Sequence, residues 1–78
     1  MSKMPNVPII SAKEFCKRLE KYGCVLVSVR GSHHKIHNPK TGNTTTVSVH
    51  AGKDVSAWVF TGTLRQLGID VDGFLSGN

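Results

Sequence analysis

Seventy-eight residues suffice for one small domain with one thin core, since single domains run from about 50 to 200 residues. Ten lysines and arginines against five acids give a net charge of +5 and a pI near 9.6, with four histidines besides. Such a balance points to a polyanion, with RNA or DNA ahead of a membrane surface. The 38% hydrophobic fraction falls in periodic runs, which argues against disorder, and no stretch approaches the roughly 18 apolar residues of a spanning helix.

Residues 1–10 read as an extended lead-in to a single domain spanning 1–78, because Pro5 and Pro8 remove backbone donors and bias their neighbours away from helix. The same segment has no long apolar stretch or cleavage motif, so a cytoplasmic location is expected. Ser11-Ala-Lys-Glu14 is a capping-box pattern. Ala12, Phe15, Cys16, Leu19 and Tyr22 follow as one apolar stripe of an amphipathic helix, with Gly23 as its stop. Cys24–Arg30 reads as a strand with Val25, Val27 and Val29 alternating onto one face. Gly31-Ser32 interrupts it, and His33–His37 resumes as a second strand.

Asn38–Asn43 is dense in turn formers. Thr44–Val49 is a third, β-branched strand with Thr45, Val47 and Val49 on one face. After the polar loop His50–Asp54, Ser56 is a candidate N-cap for a second helix reaching Leu67, with Val59, Phe60, Leu64 and Leu67 on its apolar side. Gly68 stops it, and Ile69, Val71, Phe74 and Leu75 fold back as a short terminal turn. The order α-β-β-β-α implies an α+β domain: a three-stranded antiparallel sheet with two helices on one face and the other face free.

Charge is unevenly placed. Between Lys13 and Lys53 eight bases face only Glu14 and Glu20, a balance of +6; beyond Lys53, Arg65 stands alone against Asp54, Asp70 and Asp72. All four histidines lie in the basic part. A solvated surface is the plain reading of such a run, but histidine clustered with lysine and arginine favours an anion site. Cys16 and Cys24, on opposite sides of a turn, read as two reduced thiols. No pair of cysteines has metal-ligand spacing, and the histidines lack carboxylate or thiolate partners, so neither a metal nor another cofactor is expected.

Arg30-Gly-Ser-His-His-Lys-Ile-His37 is the richest segment for chemistry. Imidazole exchanges protons near neutral pH, and RNA carries its own nucleophile in the 2′-OH, so cleavage needs little beyond a base and charge stabilisation. On spacing alone, passive nucleic-acid binding is the stronger reading than catalysis. Alternation sets His33, Lys35 and His37 on one face and His34 with Ile36 on the other, without deciding which histidine matters. His50, beside Lys53, fits either the same patch or a loop cap. Phe60 reads as core, and Trp58 as a partly exposed aromatic suited to base stacking or to a protein contact.

The segments Ile9–Glu14, Leu19–Gly23, Val29-Arg-Gly-Ser-His-His34, Val47–Asp54 and Thr63-Leu-Arg-Gln-Leu-Gly68, in this order, closely resemble the HicA (YcfA-like) toxin family. The G-S-H-H turn and the L-R-Q-L-G helix close are the most specific pieces, and the likeness runs from about Ile9 to Leu75. That resemblance implies a double-stranded-RNA-binding-domain-like fold and a metal-independent endoribonuclease that cuts mRNA. It places the catalytic histidine, the last residue of G-S-x-H, at His34, and it implies inhibition by a HicB-type antitoxin. Arg30, Gly31, Ser32, His33, Lys35, His50 and Lys53 are then the expected RNA-binding residues. A non-catalytic RNA-binding module of the same fold is the alternative. The second helix carries only Arg65 as a base, which weakens duplex binding.

Overall fold

The computed structural model describes residues 7–76; the first six residues of the expected lead-in lie outside them. Helix α1 (Ala12–Tyr22) begins where the Ser11 hydroxyl accepts the Glu14 N–H at 3.0 Å, satisfying one of the donors that a helix start leaves unpaired. The return half of the capping box is not made. The Glu14 carboxylate instead takes the Arg18 Nε–H at 3.5 Å, one turn along. Ala12, Phe15, Cys16 and Leu19 are buried, whereas Tyr22 leaves the stripe half exposed, its ring tilted against Phe74 at 5.3 Å. Gly23 ends the helix at φ 122°, its N–H turning back to the carbonyls of Glu20 and Leu19.

Three strands follow, β1 (Val25–Arg30), β2 (His33–Asn38) and β3 (Asn43–Ser48), antiparallel and in the order β1-β2-β3. Helix α2 (Ala57–Gln66) is capped by the Ser56 hydroxyl on the Val59 N–H at 3.2 Å. The expected terminal turn is a true helix, α3 (Val71–Ser76), begun by the Asp70 carboxylate accepting the Gly73 N–H at 2.8 Å. This is the α+β arrangement of the double-stranded-RNA-binding-domain type, with one short helix added at its end.

The core lies between one sheet face and the helices. Phe15, Leu19, Ile36, Val47, Phe60 and Leu64 lose essentially all their accessible surface, each contributing about 1.5–3 kcal/mol by leaving water. Phe15 and Phe60 stack at 4.8 Å, and Phe74 meets both rings edge-on. Cys16 and Cys24 are free thiols at this core's margin, both buried.

β1 departs from its expected pattern. All six of its residues are exposed, with Val27 at 56% and Val29 at 49%. Leu26 pairs with Ile36 and Ser28 with Lys35, so Val27 is an extra residue bulged out of the ladder. The three valines therefore do not share a face: Val25 pairs with His37, Val29 with His34, and Val27 with nothing. The physical reason is position, since β1 is an edge strand only partly covered by the helices, and its apolar side chains are left half in water.

At the far end, Asn38 is buried rather than a solvated turn residue. Its amide donates to the Leu67 carbonyl at 2.8 Å and its oxygen accepts the Lys40 N–H at 3.0 Å, while the Thr41 hydroxyl donates to the same Leu67 carbonyl at 2.9 Å. The Asn38–Asn43 loop is thereby tied to the end of α2. Gly68 is required there, at φ 72°, because a Cβ would stand 2.8 Å from the Thr41 methyl.

Candidate active site

The tight β1–β2 hairpin sets the site. Arg30 and His33 pair across the two-residue turn Gly31-Ser32, and Gly31 sits at φ 58°, the left-handed region open to glycine. The Ser32 carbonyl accepts the Val49 N–H at 2.7 Å, so the turn is fixed to the chain leaving β3. That chain turns at His50, whose carbonyl accepts the Lys53 N–H at 3.1 Å. It then docks on the start of α1: the Ala12 N–H donates to the Lys53 carbonyl at 3.2 Å, Ser11 bridges Asp54, and the Val55 N–H donates to the Ile10 carbonyl at 2.9 Å. Segments far apart in sequence thus meet at one end of the sheet: Gly31–His34, the His50–Lys53 loop and the N-terminus of α1.

Pleating then divides the candidate residues. Directly paired residues of an antiparallel ladder share a face. One face carries the row Val29–His34–Val47 and, next to it, Leu26–Ile36–Thr45. Burial of Ile36 and Val47 marks it as the helix-covered face. His34 is half-buried there, between Val47, which is sealed, and Val29, which is half exposed. Its surroundings therefore open toward β1. No hydrogen bond holds the His34 side chain among the described residues.

The opposite face carries Arg30–His33–Ser48, Ser28–Lys35–Thr46 and Val25–His37–Thr44. Ser28, Arg30, His33, Lys35 and Thr46 line a shallow groove on it, and His37 Nδ1 lies 3.0 Å from the Thr44 hydroxyl. Of the expected RNA-binding residues, Gly31, Ser32, His50 and Lys53 therefore gather at the His34 end of the sheet, whereas Arg30, His33 and Lys35 stand on its reverse. Ser28 and Thr46 escaped the sequence reading, because only strand register brings them beside Lys35. Phe60 is fully buried, as read from the sequence, whereas Trp58 at the start of α2 is 83% exposed, beyond the partial exposure expected of it. Among the described residues no three His, Cys, Asp or Glu side chains converge as a metal site, and no helix is long and apolar enough to cross a membrane.

Fold and site together define a small basic α+β protein with one half-buried, unbonded histidine at the hairpin end of its sheet. The family model described as HicA toxin of bacterial toxin–antitoxin systems matches residues 12–69, a span that takes in both the hairpin and the loop docked on α1. The chain belongs to the HicA toxin family. Comparison with curated proteins and with solved structures returns no match.

Proposed function

We propose that this toxin-family chain is an endoribonuclease that cuts mRNA with His34 as its proton-transfer group, held in check by a HicB-type antitoxin in the cytoplasm. The observation that carries the proposal is the position of His34: half-buried on the helix-covered face, open toward β1, and beside the Gly31-Ser32 turn. In the proposed reaction the 2′-oxygen of a ribose attacks the adjacent phosphorus as the neutral imidazole of His34 takes its proton. The bond from phosphorus to the 5′-oxygen breaks, leaving a 2′,3′-cyclic phosphate, and the same imidazole returns the proton to the departing 5′-oxygen. The Gly31 amide, the Ser32 hydroxyl and Lys53 are the groups at this end of the sheet suited to hold the phosphate, with His50 beside them.

An acidic antitoxin fits such a target. Opposite charge would steer association with this +5 chain, and a protein covering the hairpin end would bar RNA from His34. Expression of the chain alone, scored for growth arrest and for transcript cleavage by the purified protein, tests the enzymatic reading. Binding of RNA without cleavage would instead establish the non-catalytic module.

A further inference from the structure

We propose that the open face of the sheet, on the side away from His34, is an RNA-backbone track, seated on Arg30 and Lys35 with Ser28, His33 and Thr46 between them. The inference deepens the nuclease reading, since it says where RNA beyond the scissile phosphate lies.

Three observations carry it. The first is charge segregation: β1, β2 and β3 contain no aspartate or glutamate; Glu14 and Glu20 lie in α1, Asp72 in α3, Asp70 between α2 and α3, and Asp54 in the loop from β3 to α2. Nothing on the sheet therefore neutralises Arg30 and Lys35, which are exposed and belong to no ion pair among the described residues. The second is composition. The three rows of this face present cations, imidazoles and hydroxyls, and Val25 is their single apolar member. A protein partner would need an apolar centre to bury, whereas protein–nucleic acid surfaces are polar and positive. The third is form. Ser28, Arg30, His33, Lys35 and Thr46 line one groove, and alternate residues of β2 stand about 6.8 Å apart along the strand, a regular line of donors for a phosphodiester chain. Such a chain reaches His34 by turning around the Gly31-Ser32 end of β1, the side on which His34 is open.

The test uses the full chain carrying His34→Ala, so that bound RNA stays whole, and a labelled single-stranded RNA oligonucleotide titrated in rising KCl. Removing two phosphate contacts with Arg30→Ala/Lys35→Ala should lower the salt slope by about 1.4 and weaken binding about 25-fold near 0.1 M salt, at roughly 0.7 log units per contact. Lys17→Ala/Lys21→Ala, on the outer side of α1, removes the same charge and should stay within about twofold of the parent, as a flank outside the track must. All four positions are exposed, and a thermal melt confirms folding; Lys35→Gln repeats the measurement with a milder change. Parent-like RNA binding by the sheet-face variant overturns the inference, and so does equal weakening by both variants. Loss of antitoxin binding with RNA affinity intact would likewise overturn it, by assigning the face to a protein. Cleavage is read separately with His34 restored: strong, salt-dependent binding without cleavage refutes the nuclease reading and leaves the track standing.

Discussion

His33 and His34 are neighbours in sequence on opposite faces of the sheet, and replacing each in turn isolates the chemistry from the charge. Proton-transfer groups contribute about 10²–10⁴ in rate, which corresponds to roughly 2.7–5.4 kcal/mol of barrier. His34→Ala should therefore slow cleavage of a single-stranded RNA by that factor under single-turnover conditions. Stability should change little. His34 is only half-buried, and its ring makes no hydrogen bond among the described residues, so truncation removes some packing and leaves no orphaned partner. A loss of about 1 kcal/mol lowers the melting temperature of a domain this small by about 4–8 °C, well short of unfolding at room temperature. His33→Ala, on the reverse face beside Arg30, should weaken RNA binding modestly while the rate at saturating RNA stays within a few-fold of the parent. A folded His34→Ala protein that cleaves at the parental rate would refute the assignment, and a collapse of that rate in His33→Ala would move the chemistry to the other face.

Two glycines should respond in opposite senses. Gly68→Ala places a Cβ 2.8 Å from the Thr41 methyl at φ 72° and should destabilise by about 1–3 kcal/mol. Gly62→Ala, inside α2 with nothing within 4 Å of the added carbon, should stabilise by about 0.5–1 kcal/mol; urea denaturation reads both. Burial pushes the Cys16 and Cys24 thiols above their ordinary value of 9.0, with the Glu20 carboxylate adding to the effect at Cys16. Native alkylation at pH 8 should accordingly lag far behind alkylation in urea. The folding contribution of these neutral thiols is complete below pH 9 and falls as pH rises past it, because the unfolded thiols ionise first; the parent should therefore lose more stability between pH 9 and 10 than a double alanine variant. With no protein ligand set converging among the described residues, cleavage should survive EDTA, and a loss restored by divalent ions would contradict the histidine-only mechanism. Co-purification with the product of a neighbouring antitoxin gene should abolish cleavage, and a complex as active as the free chain would rule out occlusion of His34.

Local chemistry made much of this protein legible in one dimension. Ser11 and Ser56 mark helix starts because a hydroxyl there satisfies a free N–H, and both do so. The turn at Gly31-Ser32 and the period of β2 are legible too, and that period alone sets His34 and Ile36 apart from His33 and Lys35. The family likeness rested on the same short segments, and the match over residues 12–69 agrees with it.

Three features needed the folded chain. The valines of β1 look like core, but hydrophobicity does not say which strand the helices will cover, and the bulge at Val27 breaks the alternation that would have put them on one face. Asn38 looks like a turn residue; only the approach of α2 supplies the Leu67 carbonyl that makes its burial tolerable. The basic run from Arg30 to Lys53 reads as one patch along the chain, yet it is not one patch in space. Its members were recognisable by charge, which is a property of residues. The period of β2 separates His33 and Lys35 from His34. The gathering of Gly31, Ser32, His50 and Lys53 at the His34 end, and of Ser28 and Arg30 beside Lys35 and His33 on the reverse face, follows instead from strand register, with Lys53 brought to Ala12 by a backbone bond across the fold, and these are properties of the assembled sheet.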